Sequence, residues 1–367
     1  MPFDASMHTL APAVRPDPGR IAGSWGSRRL SWWRAPWWPL ALVTGAKSFL
    51  DNPLLGSTRL NRAGLHVWRL TTAHRLAWRR RRRLASRVPD ELREAFDRDG
   101  FVVVRDLLPP DQFAQLRQAV FESMTECRSH RQGDTITTRI AVNAELLNRC
   151  PALRSLLYSP RWKGLMAYVA STRAEPLYYI QAIAGGVAEG PPDPQLELHS
   201  DTFQPSLKAW LFLTDVPKDG RPLTYVAGSH RLTPQRVAWE KRRSIDIATA
   251  DRLSQRGSLR IARDELAGLG LPQPTHFAVP ANTLVAVDTA GFHARAWSDR
   301  PTVRVELWAY CRRSPFLPWT GLDPLSWRPI AIRRAEWLAR ALDWLAARGL
   351  IIQQWRRSGP WNEAIGR

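Results

Sequence analysis

A series of short apolar runs in the second half of this 367-residue chain limits the folds open to it. Turns rich in Pro, Gly and Asp separate the runs, and helical periodicity between them is weak except around residues 234–268. Such a series is typical of an antiparallel β core with helices added outside, a mainly β fold of the α+β class. The predicted strands cover residues 177–183, 196–203, 207–214, 223–227, 283–288 and 303–310.

The pattern of a packed domain begins earlier, in "PDELREAFDRDGFVVVRDLLPPDQFAQLRQAVFESM" from Pro89. It predicts a helix, a turn at "DG", a strand over residues 101–105 and a second helix that "LPPDQF" opens. We therefore expect three parts: a basic Trp- and Arg-rich extension (1–88), the main domain (89–318) and a C-terminal amphipathic helical extension (319–367).

The composition allows a sizeable core, because 44% of the residues are hydrophobic. Cys127, Cys150 and Cys311 are widely spaced and form no CxxC motif. This spacing argues against a disulfide framework or a cysteine zinc site, and it fits a reducing compartment such as the cytoplasm.

Positive charge is concentrated in the first quarter of the chain. The formal net charge is +20, and residues 1–87 contain 16 Lys and Arg against three Asp. The stretch "LSWWRAPWWPLALVTGAKSFL" has four Trp within seven positions, and Trp prefers the membrane–water interface. Its apolar part, residues 35–46, is shorter than the ~20 residues of a spanning helix. The segment predicts an anionic partner.

Three interpretations of residues 28–87 stay open. The favoured one is an anchor at an anionic membrane surface, in which the run Arg79 to Arg83 contacts headgroups. The second is packing of the Trp segment against the main domain. The third is a twin-arginine export signal at "SRRLSWW". Nucleic acid is the less favoured anionic partner, because no recognisable nucleic-acid module accompanies the arginines.

The C-terminal extension predicts a helix in "RRAEWLARALDWLAARGLIIQQWRR". Packing of its apolar stripe on the β core is the favoured interpretation, and a second contact with a membrane surface is the alternative. The stripe consists of Trp337, Leu338, Ala341, Trp344 and Leu345.

The stretch "LHSDTFQ" places His199 and Asp201 one residue apart. In a strand both side chains would project from one face, because side chains alternate along a strand. Two His and one carboxylate on one face of Fe(II) leave three coordination positions open. His293, after "TLVAVDTAGF", is the preferred third ligand, and His230, in a turn, has a position that suits a structural role.

The other histidines lack a comparable setting: His8, His66, His74, His130 and His276. Arg304 follows His293 by eleven residues, in "TVRVELWAY", and shares its strand face with Glu306. An inward-facing arginine needs an anion, and its planar fork suits a carboxylate. An internal salt bridge to Glu306 or Asp288 is the alternative.

Four motifs carry a family resemblance. "FDRDGFVVVRDLLPPDQFAQLRQAV", "LHSD", "AWLFLTDVPKDGRPLTYVAGSHRL" and "GFHAR" with Arg304 eleven residues on resemble the phytanoyl-CoA dioxygenase family over roughly residues 89–315. The chain departs from the family at Arg221, where a smaller polar residue is common, and it lacks the usual Gly-Asp before the strand predicted over 283–288.

The resemblance implies a double-stranded β-helix (jelly roll, cupin-like) that holds Fe(II) through His199, Asp201 and His293. It also implies that Arg304 binds the distal carboxylate of 2-oxoglutarate. Further candidates for cosubstrate contact are Gln181 and Tyr179, one strand earlier, and ascorbate is a further candidate cofactor.

Together these inferences predict a cytoplasmic 2-oxoglutarate-dependent non-haem iron dioxygenase, peripheral at the inner face of the membrane. It would use O2 to hydroxylate an unactivated C–H of a small-molecule or lipid-like substrate. Asp201 favours hydroxylation, because related halogenases have a small residue at this position. A nucleic-acid-directed oxygenase and a non-catalytic membrane-surface protein with a β-helix core remain as alternatives.

Overall fold

A computed structural model of the chain describes residues 37–365. Its strands are β1 (Phe101–Val104), β2 (Glu126–Gln132), β3 (Thr135–Ala141), β4 (Leu177–Gly185), β5 (Leu207–Phe212), β6 (Leu223–Tyr225), β7 (Thr275–His276), β8 (Leu284–Asp288), β9 (His293–Arg295), β10 (Thr302–Cys311) and β11 (Arg356–Pro360).

The α-helices are α1 (Trp37–Leu42), α2 (Thr58–Arg62), α3 (Leu65–Leu84), α4 (Asp90–Asp99), α5 (Pro110–Phe121), α6 (Ala144–Arg149), α7 (Pro151–Tyr158), α8 (Pro160–Ala170), α9 (Pro234–Ile245), α10 (Arg252–Gln255), α11 (Glu265–Gly268), α12 (Arg328–Ala331), α13 (Arg334–Ala347) and α14 (Trp361–Ile365).

Two antiparallel sheets form the core. The larger has the strand order β1-β8-β5-β10-β4-β3-β2-β11, and the smaller has the order β7-β6-β9. Apolar side chains of the two sheets pack against each other, including Trp210 and Val285 from the larger sheet and Tyr225 from the smaller. The mainly β core with flanking helices and the double-stranded β-helix are thus confirmed.

The two faces of the larger sheet differ in chemistry. On β10, Val305 and Leu307 point outward into an apolar core shared with the helices, whereas Arg304 and Glu306 lie on the face toward the smaller sheet. Period-two alternation along β10 therefore places its charged side chains between the sheets and its Val and Leu side chains against the helices.

One predicted strand was wrong. Residues 196–203 form no ladder, and His199 alone makes isolated bridges, to Arg260 and His293. The backbone N–H groups here change partner at each residue: His199 donates to the carbonyl of His293, Ser200 to Leu259 and Asp201 to Thr289. A segment that changes partner so often cannot extend a ladder, although it is still tied to the smaller sheet.

Helix α3 packs against the core, and the predicted contact of the run Arg79 to Arg83 with headgroups was wrong for two of the five arginines. Arg80 and Arg81 are buried. Arg81 donates to Asp288 Oδ2 at 2.8 Å and to the carbonyl oxygens of Tyr168 and Val169. These two guanidinium groups are satisfied internally and cannot reach headgroups.

The N-terminal Trp segment lies only partly within the described residues. Trp32 and Trp33 lie outside the described residues, whereas Trp37 is 63% exposed. Between residues 37 and 365 no helix has the length and apolarity needed to cross a bilayer.

Helix α13 does not pack as expected. Trp337, Leu338 and Trp344 are 49%, 50% and 54% exposed, so the apolar stripe faces away from the core. An adjacent side of the helix is held by polar contacts: Asn143 Nδ2 donates to Glu336, and Arg128 forms a bidentate pair with Asp343. These polar anchors set the rotation of the helix and turn its Trp residues outward.

Candidate metal centre

Three side chains converge between the sheets. His199 Nε2 lies 3.7 Å from Asp201 Oδ1, and His293 Nε2 lies 3.7 Å from Asp201 Oδ2. One ligand atom from each residue falls within 4.8 Å of the others. His293 begins β9, while His199 and Asp201 lie in the irregular segment that pairs with it. The predicted trio is thus brought together despite the missing strand.

Second contacts set the tautomer of both imidazoles. His199 Nδ1 donates to the Glu197 carbonyl at 2.7 Å, and His293 Nδ1 donates to the Gly291 carbonyl at 3.0 Å. Each Nε2 then carries a lone pair. Both Nε2 atoms are buried and have no hydrogen-bond partner among the described residues.

Burial lowers the pKa of both histidines, which keeps them neutral. Burial by itself would raise the pKa of Asp201, but the adjacent Lys208 ammonium outweighs it, and the pKa lies well below the usual range. Two neutral nitrogens and one carboxylate are a donor set that fits Fe(II) or a similar divalent ion. Buried nitrogens without partners are otherwise costly, so a metal is the simplest way to satisfy them.

Two lysines at Asp201 were missed in the sequence. Lys208 Nζ lies 2.7 Å from Asp201 Oδ2, and Lys47 Nζ donates to the Asp201 backbone oxygen at 2.5 Å. Lys208 could have been suspected from its place on an inward strand face. Lys47 could not, because it approaches from a segment 154 positions away.

Arg304 is buried and faces inward, as predicted. Its Nε donates to Glu306 Oε2 at 3.0 Å and its Nη1 to the Arg221 carbonyl at 2.7 Å. The internal salt bridge to Glu306 is therefore present, whereas Asp288 is paired with Arg81 instead. A role for Arg304 in cosubstrate binding stays a prediction.

The two lesser candidates for cosubstrate contact have partners within the protein. Gln181 Nε2 donates to Glu306 Oε1 at 2.6 Å. The Tyr179 ring lies 6.0 Å from that of Trp308 and 4.2 Å from the Arg139 guanidinium. Their contact with a cosubstrate likewise stays a prediction.

Arg295 is a further cation that the sequence argument did not single out. It lies two residues after His293, so the two share a strand face, and it forms an ion pair of 2.5 Å with the buried Asp193. Burial lowers the pKa of Arg295, and the charge of Arg304 acts in the same direction. The motif "GFHAR" already indicated this position, because side-chain alternation along a strand places Arg295 beside the candidate metal ligand His293.

The alternative histidine lies elsewhere. His230 is buried in a turn, with its ring 5.6 Å from Phe96 and 6.3 Å from Trp78. The structure thus places His230 outside the ligand cluster and His293 inside it.

The fold and the site define a class of protein, because a double-stranded β-helix with two histidines and one carboxylate between its sheets suits a mononuclear non-haem metal centre. Residues 96–260 match the family model of phytanoyl-CoA dioxygenase. This match agrees with the family that the motifs of the chain predicted. The matched region ends before His293 and Arg304, so the family model does not cover these two residues.

The solved structures that resemble this chain have low sequence identity to it. The carbocyclase SnoK from nogalamycin biosynthesis is 19% identical, with a TM-score of 0.39, and the alignment covers 60% of this chain and 83% of SnoK. HygX from Streptomyces hygroscopicus, solved with nickel, 2-oxoglutarate and hygromycin B, is 14% identical, with a TM-score of 0.38 and coverage of 60% and 86%. No curated protein matches the chain.

Proposed function

We propose that this protein is an Fe(II)- and 2-oxoglutarate-dependent oxygenase that hydroxylates an unactivated C–H bond of a small organic molecule. The observation that carries the proposal is the pair of buried imidazole Nε2 atoms without partners, beside an ionised carboxylate. No structural role within the described residues uses these two nitrogens.

Each residue has a distinct task in this proposal. His199, Asp201 and His293 hold the metal on one face, and the backbone carbonyls at Glu197 and Gly291 keep the imidazoles in the correct tautomer. Bound iron would supply oxygen activation coupled to decarboxylation of 2-oxoglutarate. The apolar packing between the sheets excludes water from this chemistry.

Arg304 is proposed to bind the distal carboxylate of 2-oxoglutarate. Its Nε and Nη1 are engaged by Glu306 and the Arg221 carbonyl, which hold the guanidinium in one orientation. Arg295 lies near Arg304, and its own charge is paired with that of Asp193. The planar fork of the held Arg304 guanidinium suits the carboxylate of the cosubstrate.

The direct test is turnover without any added organic substrate. The purified full chain is incubated with Fe(II), 2-oxoglutarate and O2, and succinate and CO2 are measured. We expect slow uncoupled turnover that a chelator stops and that Fe(II) restores. Failure to bind Fe(II), or to consume 2-oxoglutarate at any iron concentration, would refute the proposal and favour the non-catalytic alternative.

Replacing Arg304 with Leu should raise the Michaelis constant for 2-oxoglutarate roughly 10- to 100-fold, because a charge-assisted contact to a carboxylate is lost. Iron binding should persist, since no metal ligand changes. Uncoupled succinate formation across a 2-oxoglutarate titration measures the effect. Arg300→Leu, which removes an exposed arginine paired with Asp219, is the matched control. An unchanged Michaelis constant for 2-oxoglutarate would indicate that another cation binds the distal carboxylate, with Arg295 as the first candidate.

We also propose a membrane contact, now through α13. The observation that favours it is the exposed stripe of Trp337, Leu338 and Trp344, which Arg340 and Arg348 border. Trp at an interface and arginine at headgroups reinforce each other, and either signal alone binds weakly.

The corresponding prediction uses vesicles with and without anionic lipid. Trp337→Ser together with Trp344→Ser should reduce cosedimentation with anionic vesicles at least about threefold, because both insertable rings are lost. Trp297→Ser, at another exposed Trp, is the control. Equal sedimentation of the double variant and the wild type would show that α13 is not the contact.

A further inference from the structure

A cavity of about 810 Å³ adjoins the metal centre from the side of the N-terminal extension. One wall is formed by residues 37–52, and the other by Leu253, Arg256, Ser258 and Arg312. The extension lies outside the region that matches the family, so this wall is a feature of the chain beyond the matched domain.

Two lining residues contact the segment that carries the metal ligands. Lys47 Nζ donates to the Asp201 backbone oxygen at 2.5 Å. Ser258 Oγ donates to the Ser200 backbone oxygen at 3.0 Å. A molecule bound in this cavity therefore lies beside the segment that carries His199 and Asp201.

The charge of the lining is unbalanced. Lys47, Arg256 and Arg312 face a single carboxylate, that of Asp51, which accepts a hydrogen bond from Ser48 Oγ. In the part of the chain that the structure describes, none of the three cations forms an ion pair with a lining acid. Arg312 lies close enough to Lys47 for its charge to act on that amine, as do Lys208 and Arg260.

Arg256 and Arg312 are exposed and carry mainly the cost of repulsion between like charges, whereas Lys47 is largely buried and is also desolvated. An anion bound between them would offset both costs. Lys47 is largely buried, its amine donates to the Asp201 backbone oxygen, and the Asp201 carboxylate offsets only part of the repulsion from Arg312, Lys208 and Arg260.

The same cavity has an apolar side. Trp37, Ala41 and Leu253 line it, and the Trp37 ring is largely exposed. Apolar and cationic walls facing each other favour a ligand with a hydrophobic body and one anionic end.

We propose that this cavity binds the organic substrate, and that the substrate is an amphiphilic anion with a carboxylate or phosphate group held by Lys47, Arg256 and Arg312. The assignment as substrate rests on the proposed oxygenase function, whereas binding of the anion does not. The N-terminal extension then contributes directly to substrate recognition.

Calorimetric titration of the full chain, without metal, tests binding separately from catalysis. The probes are octanoate, octyl phosphate and octanol. We expect one saturable site for at least one anion and at least tenfold weaker binding of octanol, because octanol lacks the charge. The affinities of octanoate and octyl phosphate, compared with each other, show whether the site prefers a carboxylate or a phosphate.

The double variant Arg256→Met, Arg312→Met should weaken binding of the preferred anion at least tenfold and leave octanol binding unchanged. Arg242→Met, at an exposed arginine on α9, is the matched control and should bind as the wild type does. Absence of saturable anion binding to the wild type, or equal binding by the double variant, would overturn the inference.

A second measurement tests the assignment as substrate. In the iron-loaded full chain, the preferred anion should change the rate of 2-oxoglutarate consumption, and the double variant should need a higher anion concentration for the same change. Anion binding with no 2-oxoglutarate turnover at all would mean that the oxygenase proposal fails while the anion site stands. Turnover that the bound anion never alters would overturn the substrate assignment.

Discussion

Replacing Asp201 with Ala is expected to lower Fe(II)-dependent 2-oxoglutarate decarboxylation by more than about 100-fold, because even outer contacts of a metal centre are worth 10- to 100-fold. Asp201 is the sole carboxylate in the ligand cluster. Its removal also leaves Lys208 without its partner at 2.7 Å, so a positive charge would face the incoming cation. His199→Ala should have a similar effect through loss of a nitrogen ligand.

Iron content after desalting and succinate formation measure this loss. His276→Ala, at an exposed histidine on β7, is the control and should retain both iron and turnover. Circular dichroism should show the same fold in all variants, because each substitution leaves the backbone hydrogen bonds of the ligand segment in place. Turnover at the wild-type rate by both ligand variants would exclude a metal centre at this position.

Replacing Arg81 with Met should lower the free energy of unfolding by about 3–5 kcal/mol, since one partner of a buried ion pair is then left uncompensated. The Asp288 carboxylate is fully buried, and besides Arg81 its hydrogen-bond donors among the described residues are the backbone N–H groups of Ser206 and Ala290. Urea unfolding measures the change.

The neighbouring Arg82, which is exposed, supplies the matched control, and Arg82→Met should stay within about 0.5 kcal/mol of the wild type. Adding Asp288→Asn to Arg81→Met should recover part of the loss, because the buried charge is removed. A small effect of Arg81→Met, equal to that of Arg82→Met, would contradict the structural role assigned to this part of α3.

The same ion pair bears on the expected result of removing the N-terminal extension. Deleting residues 1–88 removes Arg81 and also His66, whose Nε2 lies 2.8 Å from the buried Glu240. The N-terminal extension is therefore expected to be needed for folding of the main domain. The boundary predicted at residues 88 and 89 marks a limit of family resemblance, and the packing across it is extensive.

The β core and the candidate ligands were accessible from the sequence because both depend on local periodicity. Alternation along β10 correctly placed Arg304 and Glu306 on the inner face. The pairing of His199 with Asp201 survived even though the strand predicted over 196–203 was wrong. Their convergence needs only tethering of this segment to β9, which single backbone hydrogen bonds provide.

Partners that are distant in sequence could not be predicted in this way. The run of arginines in α3 has the local signature of a solvated face, yet Arg80 and Arg81 are buried because acceptors from distant segments meet them. The rotation of α13 was likewise decided by Arg128 and Asn143, which lie some 200 positions earlier than their partners.

The sequence by itself determined the alternating β pattern, the His-x-Asp pair and the inward arginine, because these depend on residues within one strand or turn of each other. Only the tertiary structure decided that Arg304 meets Glu306, that Lys47 and Lys208 surround Asp201, and that the N-terminal extension forms part of the cavity beside the metal centre. These contacts join segments far apart in the chain, and packing of the complete fold selects among many equally plausible partners for each charge.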